Sequence, residues 1–186
     1  MQIQPRSARF HAETSADGFR VVIPARRNWF VMLFLVAWLG GWAFGEVNAA
    51  GELIHAGDKT PSAFLAFWIV GWTLGGLITF GTVLWQLAGR EVLTVNSLSL
   101  THRLEIFGIG VNRSYGASDI RNLRATEYSH SPFTNQNAWF PPLFGSGYGP
   151  LAFDYGARTI RVGSSLEEAE AKLLAGSLVP YLPRQL

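Results

Sequence analysis

Four histidines, His11, His55, His102 and His130, are the side chains of this chain best suited to ligate a metal or move a proton near neutral pH. No two stand within four residues of each other, and none falls inside a long apolar run, so their spacing builds neither a metal site, an acid–base pair nor an axial ligand for a buried pigment. Carboxylates cluster at Glu167, Glu168 and Glu170, where they open a helical pattern and complement its dipole. Glu46 is different, because it closes an apolar run. An acid at such a boundary is either functional or marks the helix end by reaching the headgroups. The run Gly145-Ser146-Gly147-Tyr148-Gly149 has the glycine density of a phosphate loop, but no helix opens behind it and no lysine follows. With no cysteine there is no thiolate nucleophile, disulfide or Cys-based metal site. The expectation is a chain that is not an enzyme and holds no cofactor or metal.

The elements that carry these residues divide sharply. Residues 29–45 and 63–89 are long uncharged apolar stretches. The second exceeds the roughly 20 residues that cross a hydrocarbon core, and the first reaches that length when extended to about residue 48. Two transmembrane spans, near 29–48 and 62–88, are expected. Both contain W-x-x-G-W-x-x-G: Trp38, Gly41, Trp42 and Gly45 in the first, Trp68, Gly71, Trp72 and Gly75 in the second. Indoles four residues apart and glycines four residues apart form neighbouring stripes on one helix. Helices in lipid associate through close packing over small residues, so Gly41, Gly45, Gly71 and Gly75 are expected at the hairpin seam. Trp38, Trp42, Trp68 and Trp72 are then expected to face outward, gripping a lipid, a ring-shaped ligand or another helix.

Charge gives the orientation. Arg6, Arg9, Arg20, Arg26 and Arg27 precede the first span, whereas residues 46–60 carry Glu46, Glu52 and Asp58 against Lys59 alone. The positive-inside bias places both termini in the cytoplasm and sets Arg26, Arg27 and Arg90 beside the inner leaflet. Residues 1–28 are polar and strand-like, so no cleavable signal is expected.

On either side of the spans the period changes to two. Strand patterns at 9–13, 19–23, 91–95, 98–107, 111–115, 121–128, 151–155 and 159–162 are separated by turn residues such as Asp17-Gly18 and Asn96-Ser97. A helix over 165–178 is expected from two overlapping capping boxes, Ser164 with Glu167 and Ser165 with Glu168, and Pro180 stops it. Eight strands and one helix on the same side of a bilayer predict a small antiparallel barrel with the helix across one opening. Residues 1–28 would complete that barrel, 29–89 would be a transmembrane insertion, and 90–186 would form the rest. The loop 129–149 is too long and too apolar for a simple linker. Its Phe133, Trp139, Phe140, Phe144 and Tyr148 either pack on the barrel or contact lipid or a protein partner.

The segments Gly89-Arg90-Glu91-Val92-Leu93-Thr94-Val95, Leu98-Ser99-Leu100-Thr101-His102-Arg103, Ser118-Asp119-Ile120-Arg121-Asn122-Leu123 and Leu151-Ala152-Phe153-Asp154-Tyr155-Gly156, followed by one helix, resemble bacterial PH-like domains. With its two spans, the chain is similar to uncharacterised bacterial two-span membrane proteins. The resemblance implies an α+β membrane protein: a two-helix transmembrane hairpin inserted into a cytoplasmic PH-like antiparallel β-barrel with one C-terminal capping helix, in the bacterial inner membrane. By fold-level analogy it implies an accessory or assembly subunit of a larger integral membrane complex, photosynthetic or respiratory, with membrane lipids as further partners and no nucleic acid. A membrane-anchored lipid-binding or lipid-sensing module is the alternative.

Overall fold

The structure, a computed structural model, describes residues 9–15, 18–55, 63–127 and 149–183. It forms two compact units: Arg27–Leu87, and the segments before and after it.

The first unit is a helical hairpin. Helix α1 (Trp29–His55, 27 residues) and helix α2 (Ala63–Ala88, 26 residues) are both long and apolar enough to cross a membrane. At 1.5 Å per residue each is about 40 Å long. The first runs well past residue 48, where the sequence reading ended the span. Asn28 caps α1 as expected, its Oδ1 accepting from Val31 N at 3.2 Å. The base of the hairpin is tied by Asn28 N donating to Gln86 Oε1 (3.1 Å) and by an Arg27 guanidinium nitrogen donating to the Leu87 carbonyl (3.1 Å).

The second unit contains eight strands and a helix among its described residues. Strands β1 (His11–Ser15), β2 (Gly18–Pro24), β3 (Gly89–Val95), β4 (Ser99–Ile106) and β5 (Ile109–Gly116) form an antiparallel sheet in sequence order. Strands β6 (Ile120–Ala125), β7 (Leu151–Tyr155) and β8 (Arg158–Val162) form a second, three-stranded antiparallel sheet. Helix α3 (Glu168–Leu178) packs on β6 and β7. One core unites both sheets and α3. It includes Val21, Ile23, Leu93, Val95, Leu100, Ile120, Phe153, Leu166, Leu174 and Leu178, with Tyr115 of β5 edge-on to Phe153 and Tyr155 of β7, each at 5.2 Å.

The N-terminal strands join the later ones directly: Pro24 pairs with Arg90, Val21 with Leu93, and Ala25 N donates to Gly89 O at 2.9 Å. The closed barrel expected from the sequence is not formed. A 3₁₀ turn (Ala117–Asp119) breaks the ladder between β5 and β6, and β6 bulges between Arg121 and Arg124, with Asn122 at φ 53. Such breaks end pairing and turn a strand away from its neighbour. The bulge is held from β7. Asp154 accepts from Arg124 (3.0 and 3.2 Å), Thr159 and Asn122, and the Arg124 guanidinium first, then those neighbours, hold its carboxyl down at about 2.

The C-terminal helix also starts later than expected, at Glu168. Ser164 and Ser165 do not cap it, because both hydroxyls are engaged elsewhere: Ser164 Oγ donates to Glu91 and Ser165 Oγ accepts from Arg26 N. The capping box is formed by Glu167 and Glu170 instead.

Candidate functional site

Within the hairpin the repeated tryptophan–glycine motif makes the seam, with Gly45 in it and Trp38 and Trp68 outside it as expected, but with Trp42 and Trp72 turned inward. Trp42 Nε1 donates to the Trp72 carbonyl at 2.9 Å, and Trp72 Nε1 reaches the Trp42 carbonyl at 3.4 Å. A helical carbonyl is shielded by the side chains three and four residues ahead. Gly45 lies three ahead of Trp42, and Gly75 and Gly76 three and four ahead of Trp72, so both carbonyls are bare enough for an indole to approach. A Cβ on Gly76 would land on the Trp42 indole, and one on Gly45 would touch the Trp72 ring at 3.7 Å.

Gly41, Gly71 and Gly75, expected at the seam, have nothing within 4 Å of where a Cβ would stand. Gly41 and Gly71 are exposed, while Gly75 borders the seam beside Gly76. Trp42 and Trp72, expected outward, are half-buried between the helices. The reason is hydrogen bonding: an indole N–H in an apolar setting needs an acceptor, and a glycine-exposed carbonyl supplies one. Trp38 and Trp68 stay exposed and flank Trp72, with ring centroids 6.2 and 5.7 Å from it. Glu46 is placed in the same seam, accepting from Thr73 Oγ1. Its other oxygen is buried without a hydrogen-bond partner among the described residues.

In the strand unit, Arg26 and Arg90 are exposed, yet both have partners. Arg26 is 3.7 Å from Glu167, and Arg90 pairs with Glu105, which also takes Arg103 at 2.7 Å. In the hairpin unit, Arg27 is spent on the Leu87 carbonyl. Phe133, Trp139, Phe140, Phe144 and Tyr148 lie outside the described residues.

Two features escaped the sequence reading. The first is Glu91, buried beside His102, whose Nε2 is 2.7 Å from Glu91 Oε1 but off the line of a good hydrogen bond. Glu91 also accepts from Gly163 N (2.7 Å) and Ser164 N (3.0 Å), so this carboxylate clasps the chain just before α3. Gly163 has φ +80, which is what lets its N–H turn toward the acid. Burial pushes the Glu91 carboxyl up, but His102 and the two backbone N–H groups prevail and hold it below its ordinary value. The recess beside His102, lined by Leu104, Val111 and Arg113, has about 20 Å³, room for about one water and not for a substrate.

The second is the β4–β5 turn. Phe107 (φ 50) and Gly108 (φ 83) are the two residues of a type I′ hairpin loop. Phe107 and Ile109 are 76% and 83% exposed. The strand patterns at 98–107 and 111–115 put this turn at residues 108–110 instead. The aromatic at 107 hid the true loop, since that position normally takes Asn, Asp or Gly.

Among the described residues no three or more His, Asp or Glu side chains group to hold a metal ion. Compared with known proteins, the chain matches no family model, no curated protein and no solved structure.

Proposed function

We propose that the chain is a non-enzymatic accessory or assembly subunit of an integral membrane protein complex, spanning the bacterial inner membrane twice with both termini in the cytoplasm. One observation carries this reading. The hairpin is closed by Trp42, Trp72, Gly45 and Gly76, which leaves Gly41 and Gly71 open on its outside. Glycines surplus to the hairpin's own packing suit the close approach of a helix from another subunit, since van der Waals contact over small residues is a main source of association in lipid. The arginines before the first helix and the acids between the helices support the orientation.

The test is co-purification of the full chain in mild detergent. Gly41→Leu and Gly71→Leu should keep the hairpin folded and lose the partner, whereas Gly76→Leu should disrupt the hairpin itself. Full recovery of partners with both outward variants would overturn the reading.

A further inference from the structure

Phe107, Ile109 and Val111 are exposed on the β4–β5 hairpin, at 76%, 83% and 58%. They are not scattered surface residues. Residues 109–114 of β5, the edge strand of its sheet, are exposed along both faces, and the turn that opens it carries an apolar tip. Strand register fixes which end of the sheet that is. Gly89, the residue directly after α2, pairs with Ile106, and Pro24 pairs with Arg90 three residues before Arg27. The Phe107 turn therefore lies at the end of the sheet where the chain leaves for the helices and returns. From Gly89 it is one strand spacing across and one residue further on, roughly 5 Å and 3 Å. The interfacial layer outside a hydrocarbon core is itself about 6 Å deep.

Charge agrees with a lipid occupant. Arg103 donates to the Gly108 carbonyl at 2.7 Å and shares the single carboxylate of Glu105 with Arg90, so two guanidinium groups stand behind the tip against one acid. Arg113, opposite His102 in the register, stands on the other face and forms no ion pair among the described residues. Apolar side chains in front with arginines behind on both faces match the boundary of acyl chains and anionic headgroups.

We propose that the β4–β5 turn is an interfacial anchor, with Phe107 and Ile109 inserted into the anionic leaflet of the membrane that α1 and α2 cross. It rests on the membrane reading given above, and it adds a third point of attachment that limits how the strand unit moves on the lipid surface. Because the chain has no cysteine, single cysteines can report on it. Full-length Ile109→Cys, Leu98→Cys and Val36→Cys are each labelled with an environment-sensitive fluorophore and reconstituted in phosphatidylethanolamine–phosphatidylglycerol vesicles. Lipids bearing a nitroxide near the headgroup end of the acyl chain are the quencher.

Leu98 is equally exposed, at 81%, but lies in the β3–β4 turn at the opposite end of the sheet. Quenching is expected at 109 and 36 with little at 98. Quenching at 36 but not at 109 would overturn the anchor and leave the membrane helices standing. No quenching at 36 would overturn both. Equal quenching at 109 and 98 would mean nonspecific adsorption and would also overturn the anchor, as would a label at 109 shielded from an aqueous quencher yet untouched by the nitroxide.

Discussion

Among the described residues, Glu91 is a buried acid whose oxygens are shared between a side chain and the backbone just before α3, so its charge holds that segment. Its carboxyl is held below the ordinary value. The stability it contributes is therefore present above the unfolded pKa of about 4.3 and is lost as pH falls through the folded value. Glu91→Gln removes the charge and keeps the shape. It should destabilise the strand unit near neutral pH by about 1–3 kcal/mol, the cost of weakening charge-assisted bonds to buried groups. The deficit relative to wild type should shrink as the solution is acidified, read as denaturation midpoints against pH. A deficit that stays constant into acid would show that packing around residue 91, and not its charge, holds the loop. The sequence could not have shown this contact. Glu91 and His102 are on different strands, and only the β3–β4 register, with Glu91 opposite Leu104 and Leu93 opposite His102, sets them on one face. Asn28 as a cap was legible because its partner, Val31, is three residues away.

At the scale of elements, the helix pair follows from composition and its seam does not. Two apolar runs of sufficient length were plain in the sequence, yet a W-x-x-G-W-x-x-G pattern puts indoles and glycines on adjacent stripes, and periodicity does not say which stripe meets the partner helix. The choice was made by the indole N–H and the exposed carbonyl. Trp42→Phe keeps the aromatic bulk over Gly76 and deletes only the donor of the 2.9 Å bond. It should weaken helix pairing by about 0.5–2 kcal/mol, the range for interhelical hydrogen bonds in lipid. Trp72→Phe deletes the longer 3.4 Å bond and should cost less. Denaturing-detergent titration of the full chain in micelles would rank them. The reverse order, or no loss in either, would leave ring packing as the force that closes the hairpin. Strands were legible for the opposite reason. Alternation of period two and its turn residues are local, so their number agrees among the described residues, while the start of α3 was missed because Ser165 was taken by Arg26, far away in sequence.

The whole molecule is a strand unit into which a helical hairpin is inserted between neighbouring strands, and this much is legible in the sequence. What the sequence left open was closure. Eight strands of barrel-like spacing do not reveal that a 3₁₀ turn and a bulge with Asn122 at φ 53 divide them into sheets of five and three. The insertion makes a strong prediction. Ala25 N and Gly89 O are 2.9 Å apart, so residues on the two sides of the insertion are already hydrogen-bonded neighbours in an antiparallel ladder. An antiparallel pair needs only a short turn to connect it, and Asn-Gly is the natural one. Replacing Arg27–Leu87 by a short Asn-Gly-containing turn should therefore give a chain that folds without a membrane. Val21 and Ile23 of β2 would stay fully buried against the same core, and the acid transition set by Glu91 should be retained. Cooperative unfolding with dispersed amide signals would confirm this. A molten or aggregated product would mean that the strand unit depends on the helices for more than attachment, because the turn itself adds almost no closure entropy to a ladder whose ends are this close.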